Sequence, residues 1–166
     1  MIDRVLEDPR PRLADRPGTR RVVLAEVIEQ VARDGATDAR AGGFGFAVST
    51  VDPGLVVDAD PEILAFAIDE IVGNALRHSR NHGHIALSTT ATIGRALVEV
   101  QDECGGLAPE DIDVMFRPLA GNRLHAQLGL CTIRAGVRRM RGEIWVSNVP
   151  GQGCVFTVDL PRRIDG

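Results

Sequence analysis

Apolar residues recur along this chain in two rhythms, and the breaks between them divide it into elements. Val23, Leu24, Val27, Ile28 and Val31 return every three or four positions, which predicts a helix from about residue 21 to 33. The Gly/Ala-rich stretch through Gly43 reads as a loop, 44–51 as a strand, Asp52-Pro53-Gly54 as a turn and 55–57 as a short extended piece. Asp60-Pro61 has the form of a helix start, with Asp as N-cap and Pro at the first position, and that helix runs to about His78. Leu64, Ile68, Ile71, Val72 and Ala75 make its apolar stripe. Glu70, Asn74 and Arg77, four and three apart, share a face away from the core, with His78 at its edge.

Residues 84–90 and 95–101 read as two strands joined around Ile93-Gly94, and 109–115 as one or two helical turns. Residues 117–127 have no clean period. A helix is expected over about 129–141, with Leu130, Ile133, Val137 and Met140 inward and Arg134, Arg138 and Arg141 mostly outward. A strand over 143–147, a turn at Pro150-Gly151 and a strand over 153–160 close the pattern. Residues 1–20, rich in Pro, Arg and Asp, read as a mobile lead-in, 21–161 as one domain and 162–166 as a tail. Helices and antiparallel strands mixed in this order imply an α+β fold: a two-layer sandwich with helices on one face of a mixed, mostly antiparallel sheet.

Charge and composition narrow the function. With 19 Lys+Arg against 23 Asp+Glu, there is no basic footprint for nucleic acid. No apolar run is long enough to span a bilayer and the first residues hold no apolar signal segment, so membrane contact is not expected and the cytoplasm is the default location. Cys104, Cys131 and Cys154 show no metal-ligand spacing and read as free thiols. Cys131 and Cys154 fit as small buried fillers; glycine neighbours set Cys104 apart.

Four segments carry candidate chemistry. Glu70 and Asn74 pair polar groups on one helix face, a pairing that suits a hydrated divalent cation and equally a solvated surface. Asp102, at a strand end before Gly105-Gly106, offers a carboxylate beside closely approachable backbone; a turn with solvent-facing acids has the same pattern. Gly129 and Leu130 open a helix whose amides could meet phosphate. Gly151 to Pro161 reads as a hairpin turn and strand.

Together, in order and spacing, these segments resemble the conserved boxes of histidine-kinase catalytic domains of the GHKL (Bergerat-fold) ATPase superfamily. Glu70 to Ser79 resembles the N box, Asp102 to Gly106 the G1 box, Phe116-Arg117-Pro118 the F box, Gln127 to Leu130 the G2 box and Gly151 to Pro161 the G3 box. The terminal Phe156-Thr157-Val158-Asp159-Leu160-Pro161 form points to histidine kinases rather than to the serine kinases of the anti-sigma type that share the Glu70/Asn74 spacing. The resemblance covers about residues 21–161. It implies that Asn74 holds Mg²⁺ bridging the phosphates of ATP, and that Glu70 orients water or the incoming imidazole. Arg77 and His78 would lie near the phosphates. Asp102 would take the adenine amino group beside Gly105, Gly106 would make room for the ring, and Gly129 and Leu130 would meet the phosphates.

The chain departs from the family pattern at three points. Cys104 stands at the first glycine of the G1 box, and Gln127 replaces the first glycine of the G2 box, where a Cβ disfavours positive φ. The segment between Phe116 and Gly129 is short. None of His78, His82, His84 and His125 has the His-Glu/Asp context of a phosphoacceptor. The expectation is therefore a split or excised kinase that phosphorylates a histidine on a separate dimerisation hairpin, with a response regulator downstream. The alternative is a degenerate nucleotide-binding module that acts through protein interaction.

Overall fold

The computed structural model describes residues 18–79, 83–117, 124–149, 151 and 153–164, with the side chains of 113 and 124–129 outside the description. The expected lead-in falls mostly on 1–17, outside the described residues. Strand β1 (Arg20–Val23) leads into helix α1 (Leu24–Gly42), followed by β2 (Gly45–Val48) and β3 (Val56–Ala59). Helix α2 (Pro61–His78), β4 (His84–Ala91), β5 (Arg95–Gln101), α3 (Pro109–Met115), α4 (Leu124–Arg139), β6 (Glu143–Val149) and β7 (Gly153–Arg163) complete the order.

The strands form one sheet in the order β1-β3-β7-β5-β4-β2, with β6 also paired to β7. Among the described residues only β2 and β4 pair in parallel. Strand β7 is the hub: it meets β5 along 155–161, β6 along 153–159 and β3 at 162–163. It therefore runs two residues past the boundary at 161, and Arg162 and Arg163 belong to the sheet rather than to a tail.

Helix α2 lies at the centre of the helical layer, packed on α1, α4, β4 and β5. Its start is fixed as the sequence implies: Asp60 Oδ1 accepts from the amides of Glu62 (3.0 Å) and Ile63 (3.3 Å). All five residues of its apolar stripe are buried. Leu64, Ile68, Ile71 and Val72 each contribute about 1.5–3 kcal/mol by leaving water, which holds α2 between helices and sheet.

The helix boundaries also differ from the sequence reading: Arg20–Val23 form β1 where the apolar spacing predicts a helix from about residue 21, so α1 begins at Leu24. Helix α1 continues nine residues beyond Arg33, through the expected loop, because Gly35 and Ala39 prolong its buried stripe with small side chains. A Cβ at Gly35 would stand 3.0 Å from the Phe46 ring and 3.2 Å from Val72 Cγ1, so glycine here permits close packing. The helix ends at Gly43, in the left-handed conformation (φ 76°), with Phe44 N–H donating to Ala39 O at 2.8 Å. Helix α4 begins at Leu124, about five residues before the expected start at Gly129. Among the described residues no helix is long and apolar enough to cross a membrane.

Candidate functional site

A cleft of about 310 Å³ opens between α2, α3, α4 and the ends of β5 and β7. Leu107, Met115, Leu130 and Phe156 give it apolar walls, while Asn74, His78, Asp102 and Asp111 supply its polar groups. This is the composition of a small-molecule site: mostly apolar lining with a few placed polar groups.

Asp102 sits just past the end of β5 and is 3% exposed. Its Oδ1 accepts from the backbone amides of Cys104 and Cys154, each at 3.1 Å, and its own N–H donates to Cys154 O at 3.0 Å. Two amides from separate segments thus orient the carboxylate and offset its desolvation. Oδ2 accepts no hydrogen bond among the described residues and is left for the cleft. The close approach of β7 depends on Gly153, since a Cβ there would run into the Asp102 carbonyl oxygen.

Asn74 is 5% exposed and lines the cleft; its amide makes no hydrogen bond among the described residues. The expectation of an outward polar face is therefore corrected for this residue. Because α2 packs against α1, α4 and the sheet, the side bearing Asn74 looks into the cleft rather than into bulk water. Glu70 is half-buried and Arg77 and His78 are exposed; of these three only His78 reaches the cleft lining. Next to Glu70, the Asp69 carboxyl is held above its ordinary value by burial and then by the charges of Asp34, Glu70 and Asp38.

Gly105 and Gly106 have φ of 85° and 97°, conformations that exclude most side chains. Neither lines the cleft. The nearest obstacle to a Cβ on Gly106 is Asn148 Oδ1, at 2.9 Å, so this glycine makes room for a β6 side chain. Asn148 carries a role that the hydrophobic pattern does not reveal: its Oδ1 accepts from Leu107 N–H (3.0 Å) and its Nδ2 donates to Leu107 O (2.8 Å). An Asn inside a strand, where it is disfavoured, is the sequence signal that points to it.

The far wall is built from α3 and α4. Phe116 lies under the Arg134 guanidinium, 5.4 Å from ring centroid to Cζ, and Arg134 in turn pairs with Glu143 at 3.2 Å. Leu130 is 3% exposed and faces the cleft. With α4 starting at Leu124, the Gly129 N–H lies inside the helical hydrogen-bond ladder rather than at the helix start, where free amides are found. Pro118 and His82 are outside the described residues, as are the side chains of His125 and Gln127.

Helices over one face of a mixed, mostly antiparallel sheet, with a cleft where α2 meets the ends of β5 and β7, define a Bergerat-type sandwich. The chain belongs to the family of histidine kinase-, DNA gyrase B- and HSP90-like ATPases, which it matches over residues 59–164. Its relatives include the sensor histidine kinase WalK of Bacillus subtilis, 28% identical over 125 residues, covering 68% of this chain and 20% of WalK. The sensor protein DivL of Caulobacter vibrioides is 30% identical over 126 residues, covering 75% of this chain and 16% of DivL. Full-length ShkA in complex with AMPPNP shares the fold, with a TM-score of 0.80 at 24% identity over 93% of this chain and 34% of ShkA. The chain thus spans about a fifth or less of WalK and DivL.

Proposed function

We propose that this domain binds Mg-ATP in the cleft and transfers the γ-phosphoryl group to a histidine on a separate phosphoacceptor domain or protein, from which a response regulator is charged. The observation that carries this reading is the pair of unspent buried groups on one cleft, Asp102 Oδ2 and the Asn74 amide. Asp102 accepts the exocyclic amine of adenine, while Leu107, Met115 and Leu130 cover the ring. ShkA, a fold neighbour, is named in complex with AMPPNP, which agrees with a nucleoside triphosphate as the class of ligand.

The Asn74 oxygen suits a hard cation. It is buried, makes no hydrogen bond among the described residues and is borne on a helix, and Mg²⁺ takes one or two protein oxygens and completes its shell with water and phosphate. When bound, the metal neutralises charge on the phosphates during transfer. Glu70 stands one turn before Asn74, where it orients water or the incoming imidazole. Arg77 and His78 lie at the end of α2, near the phosphates. Gly105 and Gly106 shape the loop beside the base, and Gly129 and Leu130 form the α4 side of the site. In the transfer step an imidazole nitrogen attacks the γ-phosphorus in line, the bond to the β,γ-bridging oxygen breaks, and ADP leaves with that electron pair.

A second reading, a nucleotide-binding module without transfer, is favoured by the enclosure of the Gly129 N–H within α4, which withholds it from phosphate. Incubation with γ-labelled ATP, alone and with a phosphoacceptor hairpin, separates the two. Transfer predicts acid-labile, base-stable label on the hairpin and none on this chain alone. Nucleotide binding with no label on any hairpin establishes the second reading.

A further inference from the structure

Cys104 and Cys154 are 50 residues apart in sequence, both buried, and their sulfur atoms lie 3.0 Å from one another at the floor of the cleft. The amides of these same residues donate to one atom, Asp102 Oδ1, so the two backbones are tethered side by side. A disulfide places its sulfurs at about 2.05 Å, so closure requires an approach of about 1 Å. We propose that Cys104 and Cys154 form a reversible dithiol–disulfide couple beneath the nucleotide cleft, oxidised by hydrogen peroxide entering the cleft and shielded by bound nucleotide.

The two sulfurs have different roles. Burial, followed by the Cys104 thiol and the Asp102 charge, pushes the Cys154 thiol well above its ordinary value, so Cys154 resists forming the first thiolate. Cys104, carried on a loop and the more exposed of the two residues (6% against 1%), meets the peroxide first: its sulfur bonds to one oxygen, the O–O bond breaks, and the departing oxygen leaves as water after taking a proton. The resulting sulfenic acid is attacked by the Cys154 sulfur as that thiol gives up its proton, and a second water departs. Two thiols have then lost two electrons and two protons, and one peroxide has become two waters.

The three potential ligands Asp102, Cys104 and Cys154 lie within 4.8 Å of one another, but a metal fits them less well. Three protein ligands converge there among the described residues, whereas a closed structural zinc site takes four. Two thiolates and a carboxylate around Zn²⁺ would also leave a buried net negative charge, whereas the disulfide is neutral.

Closure acts on the adenine anchor. Cys154 is fixed in the β6–β7 ladder opposite Asn148, so the approach falls on the loop that holds Cys104, Gly105, Gly106 and Leu107. That loop supplies one of the two amides on Asp102 and part of the cleft wall. Oxidation therefore weakens nucleotide binding, and by linkage nucleotide disfavours oxidation by the same factor.

The effect of nucleotide rests on the proposed ATP site; formation of the bond does not. The test treats the reduced protein, in a Cys131→Ser background, with hydrogen peroxide, with and without saturating Mg-ATP, after ATP binding to the reduced protein has been measured. The expected product is lighter by roughly 2 Da, yields a Cys104–Cys154 linked peptide and reverts with dithiothreitol. Cys104→Ser and Cys154→Ser each abolish it, bound ATP slows its formation, and the oxidised protein binds ATP at least several-fold more weakly. Oxygen adducts on Cys104 without a cross-link overturn the couple. Equal cross-linking rates in a protein that does bind ATP overturn the shielding. Cross-linking in a protein that binds no ATP upholds the couple and removes the functional reading instead.

Discussion

Asn148 on β6 grips Leu107 by both of its backbone groups, accepting its N–H at 3.0 Å and donating to its carbonyl at 2.8 Å. One side-chain amide thereby does for the glycine loop what a paired strand would do, and it fixes Leu107 against the cleft. Asn148→Ala removes both bonds at a half-buried site, and the expected loss is about 1–3 kcal/mol of stability, measured by urea unfolding. Asn148→Asp keeps the acceptor but turns an oxygen toward the Leu107 carbonyl. It is expected to weaken nucleotide binding even where the protein stays folded.

Asp102 is expected to select adenine over guanine, because guanine presents a carbonyl where adenine presents its amine and leaves the buried acid unpaired. Asp102→Asn retains an oxygen for the Cys104 and Cys154 amides, so the fold is kept, but directs an NH₂ group at the base. Loss of this charged hydrogen bond costs about 1.5–3 kcal/mol, tenfold or more in affinity. Calorimetric titration of ATP and GTP checks both expectations, and equal affinity of the wild type for the two nucleotides contradicts the assignment.

For Asn74→Ala and Asn74→Asp, the expected outcome is a preserved fold with weakened Mg²⁺-dependent nucleotide binding or transfer. The side chain opens on the cleft and makes no hydrogen bond among the described residues, so truncation leaves no sealed cavity. Melting curves beside a Mg²⁺ titration separate the cases: a large fall in melting temperature with unchanged metal dependence marks a structural role.

Gly153→Ala tests the strand approach that seats Asp102. The added methyl meets the Asp102 carbonyl, and the expected cost is about 1–3 kcal/mol from overpacking, with reduced ATP affinity in the protein that remains folded.

Two carboxyls predict opposite responses to pH. Asp69 has its folded value raised, chiefly by burial, so its contribution to stability is present in acid and is lost as pH rises through that raised value. Asp69→Asn should raise the melting temperature slightly at pH 7, since solvent screens this exposed carboxyl, and give no gain at pH 3. Burial alone would raise Glu143, but the Ile144 amide and the Arg138 and Arg134 guanidinium groups outweigh it and hold the folded value low. Its contribution is present above the unfolded value and is lost as pH falls through the folded one, so Glu143→Gln should lower stability at pH 7 and lose that effect in strong acid.

Where a signal is local, the sequence yields the element. Asp60-Pro61 and the apolar stripe mark α2 to the residue, and alternation marks β5. Arg20–Val23 escapes because a four-residue strand running straight into a helix leaves no punctuation between them. The end of α1 escapes because Gly35 and Ala39 resemble a loop until Phe46 and Val72 are seen to press on them. Asp102 and Asn74 are legible as spaced polar residues beside glycine and on a helix, but their burial is not. It depends on β7 and α4, which come much later in the chain. The same distance conceals Asn148 and the contact between Cys104 and Cys154, which no window of neighbouring residues contains.

The position of β7 at the hub of the sheet also sets a timetable for synthesis. Helix α2 and its Asn74 leave the ribosome early, but the amide that steadies Asp102 and the Phe156 wall arrive only with the last strand. Contacts of such long sequence separation form late, since the intervening loop must close first. A nascent chain ending before residue 153 holds an unpaired edge of β5 and an acid without its second donor, so it is exposed to aggregation and lacks a completed pocket. Nucleotide is therefore a ligand of the finished domain alone, and it stabilises the sheet only after its final strand has docked.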